Sequence, residues 1–113
     1  MEKKQYWSII ETAKDNVIAW SHKQKIPINR IDYAATFEEW DNSIGIFVYF
    51  KNERQRIMSD TMGFNKIIKK YYKTVLGELH YPFEKYPNLI FTFGSDENVE
   101  KYYEGCYFKK LNN

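Results

Sequence analysis

The chain has 113 residues, of which 43% are hydrophobic and 28% charged, and its formal net charge is +2. This length suits one domain with its own core, and the apolar content excludes a disordered chain. No apolar run approaches the ~20 residues of a transmembrane helix, and charges interrupt the first residues too early for a signal peptide. Because a single cysteine, Cys106, cannot form an internal disulfide, we expect a cytoplasmic protein.

The first half of the chain predicts one helix followed by two strands. Apolar residues recur at helical spacing over residues 6–24, and Pro27 ends that pattern. Residues 30–37 alternate as a strand does, and residues 44–50 form a second strand with apolar side chains on both faces. We therefore expect the second strand to be central and covered on both faces, or to present an aromatic face to a partner.

The middle of the chain predicts a third strand and a long helix. The turn "KNER" and the short strand "QRIMS", residues 55–59, complete an antiparallel meander of three strands. An amphipathic helix covers residues 63–79, with Asp60 or Thr61 as its N-cap. We interpret its polar face as solvated, with a basic docking patch as the alternative. The lysines on that face are Lys66, Lys69, Lys70 and Lys73.

The C-terminal third predicts a strand, a short helix and a final strand. Residues 89–93 form an aromatic strand, and Ser95 has the position of an N-cap. Gly105 ends the helix before "CYFKKL", residues 106–111, resumes as a strand. The sequence thus predicts a single α+β domain over residues 1–113. Its expected order is an N-terminal helix, a three-stranded antiparallel meander, a long amphipathic helix and a strand–short helix–strand unit.

No catalytic, cofactor-binding or metal-binding constellation stands out in the sequence. His22 and His80 have no metal-ligand spacing, and the glycines are too scattered for a phosphate-binding loop. Cys106 and a histidine can form a nucleophilic pair, but a lone cysteine is more often a small buried apolar residue. Consecutive carboxylates, as at residues 38–39 and 96–97, diverge on a strand or helix instead of facing one substrate. We expect a protein that is not an enzyme and holds neither metal nor cofactor.

Binding of nucleic acid is the alternative function. The segment "KKYYK", residues 69–73, interleaves lysines with aromatic rings, which is the pattern of a base-stacking site. However, helical spacing places Tyr71 and Tyr72 on the buried stripe and turns the lysines outward. The charge also alternates along the chain, and residues 31–50 contain no basic side chain. A small RNA- or DNA-binding domain that uses the face of residues 66–73 is therefore our second choice.

The turn between the first two strands, with Asp41, Asn42 and Ser43 as turn formers, is the candidate protein-binding site. It presents Trp40 among the carboxylates of Glu38, Glu39 and Asp41. Exposed tryptophan side chains are common anchors of protein interfaces, and acidic neighbours complement a basic groove. The alternative is that Trp40 folds back over the end of the core while the acidic side chains are merely solvated. The block of acidic residues favours the interface.

The C-terminal sequence "YPNLIFTFGSDENVEKYYEGCYFKKL", residues 86–111, resembles the tails of small immunity proteins of bacterial polymorphic-toxin and contact-dependent inhibition systems. The resemblance implies a cytoplasmic, non-enzymatic protein that binds and blocks the toxic C-terminal domain of a partner, often a nuclease. One departure is the slightly basic net charge, because immunity proteins against basic nucleases are often acidic.

The resulting hypothesis is an immunity or antitoxin-like protein that occludes a cognate toxin domain. Its first candidate surface is the turn of Glu38, Glu39, Trp40 and Asp41, with Trp40 as anchor and the carboxylates imitating substrate phosphates. A second candidate surface is the acidic side of the short helix. Its residues are Asp96, Glu97, Glu100 and Glu104. We expect a toxin domain as partner, no membrane partner, and leave the oligomeric state open.

Overall fold

The computed structural model describes residues 3–38 and 40–103, with side chains as far as residue 99. The described residues form one compact α+β domain. In chain order its elements are α1 (Lys3–Lys23), β1 (Ile28–Ala34), β2 (Ser43–Phe50), α2 (Glu53–Thr61), α3 (Phe64–Glu78), β3 (Asn88–Ser95) and α4 (Asp96–Tyr103). None of these helices combines the length and apolar content that a membrane crossing requires.

The described strands form one mixed sheet in the order β1-β2-β3. β1 pairs with β2 in antiparallel register, so that Ile31 lies opposite Val48. β3 pairs with β2 in parallel register, from Ser43 opposite Asn88 to Phe50 opposite Ser95. The central position expected for the second strand is therefore confirmed.

One face of the sheet carries the core. The inward side chains of β2 are fully buried, and α1 and α3 pack over them while contacting each other. The helices supply apolar side chains at the spacing predicted from the sequence, because residues three and four apart share a helix face. The buried set from α1 is Tyr6, Ile10, Ala13, Val17, and that from α3 is Ile68, Tyr72, Val75, Leu76.

The opposite face of the sheet is only partly covered by the described residues. Phe47 and Tyr49 of β2 are half-buried, and Ile90 on neighbouring β3 is 55% exposed. The guanidinium of Arg30 lies 3.9 Å above the centre of the Tyr49 ring and shields it. Of the two sequence-based options for β2, the partly open aromatic face fits better than cover on both sides.

The prediction of a third meander strand at residues 55–59 is wrong, because these residues lie in α2. Asn52 is the N-cap, and its side-chain oxygen accepts a hydrogen bond from the Gln55 backbone N–H at 2.9 Å. In the first turn of the helix, Glu53 pairs with Arg56 at 2.8 Å. The spacing from Asn52 to Gln55 is that of a capping box, and this signal identifies the helix in the sequence.

The predicted N-cap of the long helix is also wrong. Asp60 and Thr61 belong to α2, and Gly63 is the N-cap of α3 with φ of 80°. Glycine fits there because a left-handed backbone is strained for residues with a Cβ. The two helices form the connection between β2 and β3. Such a crossover brings the next strand back parallel, so the antiparallel meander is wrong in its third member.

The end of the described chain agrees with the local prediction. Ser95 caps α4, since its hydroxyl accepts a hydrogen bond from the Asn98 N–H at 3.0 Å. The helix end expected at Gly105 and the final strand over residues 106–111 lie outside the described residues.

The core assignment predicts a large difference between two isoleucines of the sheet. Ile46→Ala removes a fully buried side chain from β2 and should lower the free energy of unfolding by about 2–5 kcal/mol. Ile90→Ala removes a side chain that is largely exposed and should change it by less than about 1 kcal/mol. Urea denaturation followed by circular dichroism measures both values. Equal losses would contradict the assigned faces of the sheet.

Candidate functional site

The loop between β1 and β2 is held at its base by Phe37. The Phe37 ring is buried and packs against Tyr6, Trp7 and Tyr86, with ring centres 5.2–5.4 Å apart. The Tyr86 hydroxyl donates a hydrogen bond to the Phe37 carbonyl at 2.8 Å. Phe37 has φ of 55°, an unusual value for a bulky side chain that persists only where the surroundings impose it. Phe37, and not Trp40, therefore covers this end of the core.

Asp41 fixes the other side of the loop. Its carboxylate accepts hydrogen bonds from the Thr36 hydroxyl at 2.9 Å and from the hydroxyl and backbone N–H of Ser43 at 2.8 and 3.2 Å. These bonds from Ser43 and Thr36 lower the pKa of Asp41 below its ordinary value. The Asp41 N–H also donates to the Glu38 carbonyl at 3.0 Å and closes the turn. The carboxylate of Asp41 is thus a structural element of the loop.

Trp40 lies at the tip of this loop and is 78% exposed. Glu38, beside it, forms an ion pair with Lys3 at the start of α1, and the structure does not describe Glu39. Contacts within the protein hold Phe37 and Asp41, which lie on the two sides of the exposed indole. Pre-organisation of this kind reduces the entropy lost on binding.

The second predicted surface is held by contacts within the chain. The Asp96 carboxylate accepts hydrogen bonds from the Arg30 and Asn29 side chains at 2.7 and 2.6 Å. Glu97 accepts a hydrogen bond from the Glu53 N–H at 3.1 Å, at the N-terminus of α2. Glu100 belongs to α4 but its side chain lies outside the described part, as does Glu104. The described carboxylates of this surface therefore join β1, α2 and α4 to one another.

The contact between α2 and α4 also involves Glu53, a carboxyl group with a lowered pKa. The Arg56 side chain, and then the Ser95 hydroxyl at 2.6 Å, lower the pKa of Glu53. Ser95 thus contributes to two helices, because it caps α4 and bonds to the first turn of α2.

The structure does not bring the two acidic surfaces together. The Trp40 loop precedes Ser43, the first residue of β2, while α4 follows Ser95, the residue opposite Phe50 at the other end of that strand. A strand of this length spans about 25 Å at ~3.3 Å per residue. The two candidate surfaces therefore lie at opposite ends of the sheet.

The lysine face of α3 is exposed, whereas the tyrosines beside it are not free for stacking. Tyr72 is fully buried, and Tyr71 stacks on Trp20 with ring centres 4.1 Å apart and planes within 8°. The burial of Tyr72 confirms it as a core residue, and Trp20 covers one face of the Tyr71 ring. The aromatic platform on which the nucleic-acid alternative depends is therefore lacking at residues 69–73.

The histidines lie apart in the described structure. His22 Nε2 lies 3.3 Å from the Ile28 carbonyl, and His80 lies in the turn after α3. Within residues 3–38 and 40–103, no group of three His, Cys, Asp or Glu side chains is arranged to hold a metal ion. Cys106 falls outside that part of the chain.

Sequence reasoning missed Phe37, one of the two residues that build the loop. Phe37 was expected to continue the first strand, but β1 ends at Ala34. Asp41 was expected both to form the turn and to face a partner, and its hydrogen bonds to Thr36 and Ser43 show the turn-forming role. The pairing of Lys3 with Glu38 has no local signal, because these residues are far apart in sequence.

Comparison with protein-family models, curated proteins and solved structures gives no match for this chain. Its function must therefore be inferred from its own residues.

The hydrogen bonds of Asp41 predict a specific acid dependence. A carboxyl group with a lowered folded-state pKa stabilises the protein above its ordinary pKa of about 3.9, and this contribution is lost as the pH falls further. Asp41→Asn should therefore be less stable than the parent at pH 7, and this gap in the free energy of unfolding should narrow below about pH 4. Urea denaturation at a series of pH values measures the gap.

Asp15→Asn is the matched control for that measurement. Asp15 is exposed on α1, and its carboxylate accepts no hydrogen bond from the described residues. A gap of the same size and pH dependence for Asp15→Asn would show that the loop bonds are not the cause.

Proposed function

We propose that this protein is an immunity protein that binds a cognate bacterial toxin domain and occludes it without catalysing a reaction. The Trp40 loop is the interface in this proposal, and a basic surface of the toxin domain, such as the active site of a nuclease, is its target. Both proteins would meet in the cytoplasm.

The exposed indole of Trp40 is the observation that carries the proposal. Burying an indole removes a large apolar surface from water, so a soluble domain keeps one at a loop tip at a cost in solubility. The Trp40 side chain is the most exposed of the large apolar side chains described. Its loop is nevertheless tied by Phe37 and Asp41, as expected for a site that is shaped before its partner arrives.

The charge around Trp40 supports a basic partner. Residues 31–50 contain four acidic side chains and no basic one. Glu38 is partly offset by Lys3, and Asp41 is engaged by Thr36 and Ser43. The proposal therefore assigns Asp41 to positioning the loop, while Glu38 and Glu39 attract the partner. The resemblance of residues 86–111 to immunity-protein tails supports the toxin class of that partner.

The proposal predicts a partner that genetics can identify. The reading frame directly upstream should encode a large secreted protein that ends in a variable toxic domain. When the two chains are expressed together, this protein should co-purify with that toxic domain and restore growth of the host. An upstream gene of another kind, together with no growth protection against the nearest toxin domain, would contradict the proposal.

The position of the interface has its own prediction. Trp40→Ala combined with Glu39→Lys should weaken toxin binding at least about 30-fold, the loss typical of an interface hot spot. The melting temperature should change little, because Trp40 is mostly exposed in the free protein. Isothermal titration calorimetry and a growth assay measure the two effects.

Ile57→Ala combined with Glu84→Lys is the matched control. It also truncates an exposed apolar side chain and reverses an exposed acidic one, but on α2 and on the segment after α3. Binding should be unchanged in this variant. If the toxin binds the Trp40 variant as tightly as the parent, the interface lies elsewhere even though the immunity function stands.

A further inference from the structure

The outer edge of β3 is unpaired among the described residues. β3 is the last strand in the order β1-β2-β3, and its eight residues, "NLIFTFGS", contain neither a charged residue nor a proline. Exposed edges of this kind readily pair with another strand, and proteins normally protect them with charges, prolines, bulges or cover. β3 has no such protection within its own sequence.

The other edge of the sheet, β1, differs from β3 in its protection against pairing and in the burial of its inward side chains. β1 has an irregular register between Ile28 and Arg30, and its sequence includes charged side chains. Two of its inward side chains are almost completely buried, with Ile28 at 2% and Ile31 at 4% exposure, and the third, Tyr33, is partly buried. The inward side chains of β3 are packed against the core but remain only partly buried. They are Leu89, Phe91 and Phe93. The core is thus less complete beside β3 than beside β1.

Helix α3 runs along this edge and lines it with lysines. The Lys69 ammonium lies 5.9 Å from the centre of the Phe93 ring. Further along, the Tyr72 ring packs on Phe91 with centres 5.8 Å apart. Lys73 then lines a groove of about 430 Å³ together with Leu89 and Ile90. Lys69 and Lys73 therefore lie beside β3, at Phe93 and at Leu89 and Ile90.

The lysine row carries a positive charge that the described part of the chain does not neutralise. Residues spaced by three and four positions lie on one side of a helix, so the four side chains are neighbours. All are exposed, and no described carboxylate lies within 4.0 Å of any of them. They are Lys66, Lys69, Lys70 and Lys73.

We propose that the β3 edge is a docking site for an extended, acidic segment of a partner protein, which adds to the sheet as a further strand. Main-chain hydrogen bonds to β3 would supply affinity, and alternate side chains would supply specificity. Side chains on one face of the added strand are carboxylates that meet the α3 lysines, and their aliphatic stems cover Phe91 and Phe93. Those on the other face are apolar and pack beside Ile90.

Charge complementarity favours a separate acidic segment over the two other occupants available. Residues 104–113 of this chain contain Lys109 and Lys110 against the single acidic residue Glu104. A second copy paired through its own β3 would form a continuous sheet with both α3 helices on one face, and this arrangement would place two lysine rows beside the seam. Each of these occupants adds like charge to the edge, whereas carboxylates neutralise it.

The proposal is tested with two capped peptides of about ten residues, a length that matches β3. One alternates valine with glutamate and the other alternates valine with lysine. The glutamate peptide should bind and slow hydrogen exchange of β3 backbone amides, and the lysine peptide should not. Lys69→Glu with Lys73→Glu should weaken binding of the glutamate peptide about tenfold. Lys4→Glu with Lys23→Glu, a reversal of two exposed lysines on α1, should leave binding unchanged.

Four outcomes would overturn the proposal. The first is equal binding of both peptides, or binding that the Lys69 and Lys73 reversal does not affect. The second is a β3 edge whose amides are already protected in the free monomer, which would mean that the chain covers the edge itself. The third is a dimer in which the β3 amides are protected from hydrogen exchange. The fourth is binding of a DNA or RNA oligonucleotide by the lysine row without binding of the glutamate peptide. None of these outcomes depends on the Trp40 loop or on a toxin partner.

Discussion

A hydrogen-bond chain through two tyrosines connects the main layers of this fold. The Tyr33 hydroxyl of β1 donates to the Ile10 carbonyl of α1 at 2.8 Å, so it can only accept from the hydroxyl of Tyr72 on α3. Tyr72 is fully buried, and burial raises its pKa well above the ordinary value, which keeps the donor protonated. Tyr72 must point into the core for its bond to Tyr33 to form, and this contact sets the rotation of α3 about its axis together with the other buried side chains of that helix.

The rotation of α3 bears on both ligands considered for its lysine face, an acidic protein segment and nucleic acid. With Tyr72 turned inward, Lys69 and Lys73 fall along the β3 edge and the lysine face is left to solvent. The same rotation removes the rings that a base-stacking site needs. The basic face therefore favours carboxylates presented by an extended partner segment more than it favours nucleic acid.

The Trp40 loop combines an exposed tryptophan side chain with two neighbours that are held by contacts within the protein. Phe37 occupies the space at the end of the core that an apolar side chain must fill, and Asp41 satisfies the turn that follows. Trp40 lies between them with its side chain 78% exposed. Sequence reasoning proposed Glu38, Glu39 and Asp41 together as partner-facing carboxylates. The structure shows that Glu38 and Asp41 differ, because Lys3 pairs with Glu38 whereas Thr36 and Ser43 hold Asp41.

The sequence by itself determined the elements whose signals are local: helix spacing in α1 and α3, alternation in β1 and β2, and the Ser95 cap of α4. These follow from side-chain period and capping, which a short segment carries within itself. It misassigned α2, whose brief apolar pattern suits a strand as well as a helix. Only the tertiary structure decided the parallel direction of β3, the choice of Phe37 over Trp40 as the core residue, and the bonding of Asp96 to β1. These features depend on contacts between residues that are distant in sequence, and local sequence patterns do not predict such contacts.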